Sequence, residues 1–176
     1  MKNVVVLAMH GAPPSDFPRH EMAEFFSLRS RLDHSAGPDR AYLERRWIEL
    51  ENKMRLWPRT AQNDPYHAGA QELAARMREV MGCPVIAAFG EFCAPSLDEA
   101  LAQAAAEEPQ RVIVATPMMT RGGEHSERDI PEAVDRARRR FPQISFIYAW
   151  PFESPEIAQF LAAQIRRFLE KTESDR

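Results

Sequence analysis

An α/β domain, a parallel four-stranded sheet with helices on both faces, is the fold class that this 176-residue sequence predicts. Three observations carry that expectation. Four short runs rich in Val and Ile, at 4–7, 85–89, 112–115 and 144–148, are apolar nearly throughout, as strands covered on both faces are. The segments between them space their apolar residues as amphipathic helices do. Strands alternating with helices imply right-handed crossovers and hence parallel pairing. The length suits a single domain, 1–176, large enough to bury a core.

The first strand opens the chain: Val4, Val5, Val6, Leu7 and Ala8 follow Met-Lys-Asn. The run is too short to span a membrane and no small-residue cleavage site follows it. A cytoplasmic protein is therefore expected. More than fifty residues then separate this strand from the next helix start, far beyond an ordinary connection. They are patterned. Met22, Phe25, Phe26 and Leu32 predict one helix; Leu43, Trp47, Leu50, Met54 and Trp57, at three- and four-residue steps, predict another, with Gly37-Pro38-Asp39 as the turn between them. Residues 19–58 thus read as an inserted helical hairpin.

Beyond it, Asp64-Pro65 has the cap-plus-proline form of a helix start, and Ala70, Leu73, Ala74, Met77 and Val80 form its apolar stripe. Ser96-Leu97-Asp98-Glu99 is a capping box ahead of Leu97, Ala100, Leu101 and Ala104. Asp129-Ile130-Pro131-Glu132 is its Asp counterpart, ahead of Ile130, Ala133, Val134 and Ala137. Ser154-Pro155 starts the last helix, whose stripe of Ile157, Phe160, Leu161, Ile165, Phe168 and Leu169 is the strongest in the chain.

Charge narrows the function. With 23 basic against 26 acidic residues the net charge is -3, and the two signs interleave. That argues against a nucleic-acid partner, which would need a basic excess, and no membrane association is expected. Cys83 and Cys93 are too far apart in sequence to form a close ligand pair, so free thiols are expected. Cys93 lies close enough to a suspected site residue to keep a metal role in view.

Two segments differ from ordinary connectors: Met9-His10-Gly11-Ala12-Pro13-Pro14 after the first strand, and Pro117 through Gly122-Gly123-Glu124-His125 after the third. In an open parallel sheet the carboxyl ends of the strands share one edge, where ligands bind. His10, His125 and Glu91, which follows the second strand, should therefore meet there. Imidazole and carboxylate together suit Co, Ni, Fe or Zn, and a histidine near neutrality can also accept a proton. From the residues alone the reading stops at a metal or small-ligand site.

The segments 4–11, Glu91 with Pro95-Ser96-Leu97-Asp98-Glu99-Ala100-Leu101, and Gly123-Glu124-His125 followed by Asp129-Ile130-Pro131 resemble class II tetrapyrrole chelatases. The group resembled is the sirohydrochlorin cobaltochelatase and ferrochelatase family of the CbiX type, over the whole chain except the insertion. The resemblance implies a flavodoxin-like (chelatase-like) fold and ATP-independent insertion of Co²⁺ or Fe²⁺ into sirohydrochlorin, in cobalamin or sirohaem biosynthesis. No permanently bound cofactor is implied; the divalent metal (Co²⁺, Fe²⁺ or Ni²⁺) is a substrate. His10 and His125 match the family's metal-binding and catalytic pair, and Glu91 fits the acidic residue that joins them. Arg121 and Arg128 flank His125 and are candidates for the tetrapyrrole's carboxylates. One half instead of two implies a short form acting as a homodimer. A metal- or tetrapyrrole-binding protein without turnover, and a regulatory partner of a larger complex, are the competing readings.

Overall fold

The computed structural model describes residues 2–32 and 34–174, with side chains as far as residue 171. Its elements follow in the order β1 (Asn3–Met9), α1 (Arg19–Leu32), α2 (Gly37–Arg55), α3 (Pro65–Met81), β2 (Val85–Phe89), α4 (Leu97–Ala106), β3 (Arg111–Ala115), α5 (Ile130–Arg140), β4 (Ser145–Tyr148) and α6 (Ser154–Ser174). The strands form one parallel sheet in the order β2-β1-β3-β4. The chain winds outward from β1 to β2 and then returns to the other side of β1. The switch point, where such sheets bind ligands, thus falls between β1 and β3.

Alternation within the strands separates two cores. Val4, Val6, Ala8, Val112, Val114 and Phe146 point to one face and pack with Leu101, Ala104, Ile130 and Val134 of α4 and α5. Val5, Leu7, Met9, Val85, Ala87 and Phe89 point to the other, where α3 lays Ala70 and Ala74 on β2. Small residues on α3 bring it close to the sheet. Consequently only part of its predicted stripe is buried: Leu73 and Val80 stay exposed. Ser96 forms the expected capping box with Glu99, and Asp64 accepts from the His67 N–H to cap α3.

The inserted hairpin forms as α1 and α2, closed by Phe25, Leu28, Leu43, Leu50 and Met54, with Phe17 from the segment before α1. Gly37 opens α2 instead of lying in a turn ahead of it. Two arginines tie this unit to the sheet edge. Arg55 donates to the carbonyls of Cys93 (2.8 Å) and Gly90 (2.9 Å). Arg59, almost wholly buried, pairs with the fully buried Asp64 and donates to the carbonyls of Ala12, Met54 and Phe92.

The last helix departs from expectation. No residue of α6 up to 171 is buried, although its apolar stripe is the longest of those read from the sequence. The connector explains the placement: Trp150 stacks on Tyr148 and meets Phe152 edge-on, and Tyr148 packs against the core on the α4–α5 side. No helix among the described residues is long and apolar enough to cross a membrane.

Candidate metal centre

Backbone pairing carries the β1–β2 ladder beyond the strands. After the Met9–Phe89 pair, the Gly90 N–H donates to the Met9 carbonyl and the Glu91 N–H to the His10 carbonyl, each at 2.9 Å. His10 and Glu91 are thereby fixed side by side. Gly11 makes this possible: its φ is +107°, and a Cβ there would lie 2.0 Å from the Glu91 carbonyl oxygen. Gly11→Ala combines a strained backbone with a steric clash. We expect it to cost at least about 1–3 kcal/mol, read as a lower midpoint in denaturant unfolding.

His125 reaches the same place from across the switch point. The Ile130 N–H bonds to the His125 carbonyl five residues back, so His125–Asp129 forms a single π-helical turn leading into α5, a feature common at functional sites. The Ser126 hydroxyl donates to the Gly123 carbonyl and the Tyr148 hydroxyl to the Ser126 carbonyl, holding this turn against β4. Burial raises the Tyr148 hydroxyl pKa to about 12, so it stays a donor. The expected Asp129 cap does not form. The chain is already helical there, and the carboxylate takes other partners.

The three predicted residues converge. One ligand atom from each of His10, Glu91 and His125 lies within 4.8 Å of the others. The His10 and His125 rings meet edge-on with centroids 4.7 Å apart, and His10 Nε2 is 3.8 Å from Glu91 Oε2. Both imidazoles are oriented. His10 Nδ1 lies 3.0 Å from the Gly11 carbonyl oxygen, and His125 Nδ1 lies 2.7 Å from Asp129 Oδ2. A carbonyl and a carboxylate only accept, so in the neutral ring each Nδ1 carries the hydrogen and each Nε2 presents a lone pair. Such outer partners raise the basicity of a ligating imidazole.

Burial of Asp129 opposes its ionisation. Hydrogen bonds from His125 and Arg128 outweigh that and hold the carboxyl below its usual range. Asp129→Asn keeps the shape but loses the charge. The expected result is a loss of about 10–100-fold in metal affinity, measured by titration with Co²⁺, with an unchanged melting temperature.

The site opens into a cavity of about 400 Å³. Glu91, His125, Arg128 and Asp129 line one side; Phe25, Arg29, Leu32, Arg40, Trp47 and Glu51 of the inserted hairpin line the other. Arg29 donates to Glu91 Oε1 at 3.1 Å. The insertion is therefore a wall of the site. A second cavity of about 280 Å³ lies on the α4–α5 side of His125, lined also by Met9, Phe89, Met118 and Ile130.

Of the arginines expected near the site, Arg128 lines the first cavity and pairs with Glu124 and Asp129. Arg121 is exposed and lines neither cavity. Cys93 lies outside the histidine–glutamate cluster. It is buried, with Sγ 3.5 Å from Asp64 Oδ2, and burial pushes its thiol pKa up. Cys83 and Cys93 are both free. Sequence reasoning missed Arg29, Arg40 and the roles of Arg55 and Arg59. It also missed Asp129 as the partner of His125, although the four-residue spacing was a usable signal.

Comparison with protein families matches residues 61–168 to CbiX. No curated protein matches the chain. Among solved structures, a cobalamin (vitamin B12) biosynthesis CbiX protein from Marinobacter aquaeolei VT8 is similar at TM-score 0.54 and 17% identity, covering 96% of this chain and 98% of that one. That likeness is one of fold. The sirohydrochlorin chelatase SirB from Bacillus subtilis subspecies spizizenii, in complex with cobalt, matches at TM-score 0.42 and 16% identity, over 86% of this chain and 44% of that one.

Proposed function

Because the chain belongs to the CbiX family, we propose that it inserts a divalent metal, Co²⁺ or Fe²⁺, into sirohydrochlorin or a related tetrapyrrole, without ATP and as a homodimer. The observation that carries the reading is the convergence of His10, Glu91 and His125, the latter two lining a cavity whose other wall bears Arg29 and Arg40. Sirohaem or cobalamin biosynthesis is the setting that fits such a product.

Insertion exchanges one M²⁺ for two pyrrole N–H protons, so the site must release an ion and take up two protons. The two Nε2 lone pairs and the Glu91 carboxylate suit both tasks. As the ion passes to the pyrrole nitrogens, the lone pairs that held it become free to accept the protons. Asp129 beside His125 stabilises the imidazolium that this creates. Arg29 and the metal would compete for Glu91, so the arriving ion frees a guanidinium at the cavity. Sirohydrochlorin carries many carboxylates; Arg29, Arg40 and Arg128 line the cavity to pair with them, and Arg121 would act only from its margin. Phe25 and Trp47, stacked with centroids 5.6 Å apart, supply apolar surface beside these charges.

The donor set does not choose the metal, since nitrogen and oxygen sites bind Ni²⁺ above Co²⁺ and Co²⁺ above Fe²⁺ whatever their details. The test mixes the protein with sirohydrochlorin and Co²⁺, Fe²⁺ or Ni²⁺ and follows the absorption spectrum. Acceleration over the spontaneous reaction with at least one metal is expected. Binding without acceleration by any of them would overturn the enzymatic reading in favour of a tetrapyrrole-binding protein.

A further inference from the structure

The sheet is unevenly covered. On the face that α3 occupies, the helix lies over β2, leaving the β3–β4 half open: Ile113 and Ala115 are only partly buried and Ile147 is 41% exposed. The Tyr66 hydroxyl of α3 reaches the His10 N–H at the end of β1. Leu73 and Val80, one and two seven-residue steps further on, therefore lie along the flank of α3 nearest β1 and β3, and both are exposed. Ile113, Ala115, Ile147, Leu73 and Val80 thus border an apolar groove. Doubly wound sheets fill such a position with a helix.

The same chain carries a helix with no groove. Along α6, Phe160 is 59%, Leu161 50% and Ile165 60% exposed, and with Ile157 they form one stripe. Only residues 149–153 join it to β4, and the Tyr148–Trp150–Phe152 stack fixes that connector on the opposite side of the sheet. Both the stripe and the groove thus stay exposed among the described residues. A second copy meets both needs at once.

We propose that two chains exchange their α6 helices, each seating its stripe in the β3–β4 groove of the other about a two-fold axis. Size supports this occupant. Stable interfaces remove about 1,200–2,000 Å² in total, and a 21-residue helix, about 31 Å long and docked twice by symmetry, is of that order. Short connectors favour exchange of an element between identical chains. The inference names the surface for the pairing proposed above and does not depend on the reaction.

The test uses the full chain and its mass in solution. Wild type is expected at twice the 20.1 kDa chain mass. Phe160→Asp and Ile147→Asp, both at exposed positions, should each weaken the dimer about 30-fold or more with an unchanged circular-dichroism spectrum. Mixing the two variants should restore a dimer, because an intact α6 then meets an intact groove. A monomeric wild type would overturn the exchange and the pairing together. A dimer indifferent to both substitutions, or a mixture that stays monomeric, would overturn the exchange alone and leave the pairing to another surface.

Discussion

Replacing His125 with alanine is expected to lower the rate of metal insertion by about 10²–10⁴-fold and to leave the melting temperature nearly unchanged. The effect is large because one side chain serves two tasks. Its Nε2 would hold the ion beside His10 and Glu91 and then take up a proton, with the ring oriented by the Asp129 carboxylate. The cost to folding is small because the ring is partly exposed and the turn that carries it is held by Ser126 and Tyr148. His10→Ala should act in the same direction, since His10 contributes the other lone pair. Turnover within twofold of wild type for both variants, measured from the absorption change on metal insertion, would sink the site assignment.

The second large effect is on stability. Arg59→Met should destabilise the protein by about 3–5 kcal/mol, the usual loss when one member of a buried ion pair is removed. The Arg59 side chain is 7% exposed and that of Asp64 0%, so the orphaned carboxylate would have no water to turn to. Three carbonyls, from the loop after β1, the end of α2 and the loop after β2, would lose their donor together. Against a total of about 5–15 kcal/mol for a folded domain, that loss is severe. Adding Asp64→Asn removes the unpaired charge and keeps a side chain able to cap α3, so the double variant should recover part of the stability. Thermal unfolding decides it: a single variant melting within about 2 °C of wild type, less than 1 kcal/mol for a chain of this size, would show the pair to be dispensable.

The strands were legible because a strand buried on both faces leaves a nearly continuous apolar run rich in Val and Ile. The meeting of His10, Glu91 and His125 was legible because parallel strands bring their carboxyl ends to one edge. Asp129 was misread for a local reason. A carboxylate ahead of Ile-Pro has the form of a helix cap, but the helix starts a turn earlier and His125 claims the charge. Arg29, Arg55 and Arg59 could not have been foreseen in their roles. Each reaches at least one backbone or carboxylate group more than thirty residues away in sequence, and such pairing leaves no periodic trace. The stripe on α6 shows a further limit: periodicity marks an apolar helix face, not what lies against it, and this one stays exposed.

His10, Glu91 and His125 follow three different strands, and two of them are in register only through a backbone ladder. The disordered chain therefore has no binding site to offer. By thermodynamic linkage any ion held by these groups stabilises the folded state in proportion to the logarithm of its concentration over its dissociation constant. In the proposed reaction, surrendering the ion to a macrocycle returns that increment, so the folded state would be most stable while loaded and least stable just after delivery. Tightness of binding and ease of transfer are then opposing demands on the same three side chains, and a moderate affinity, not a maximal one, is what this arrangement favours.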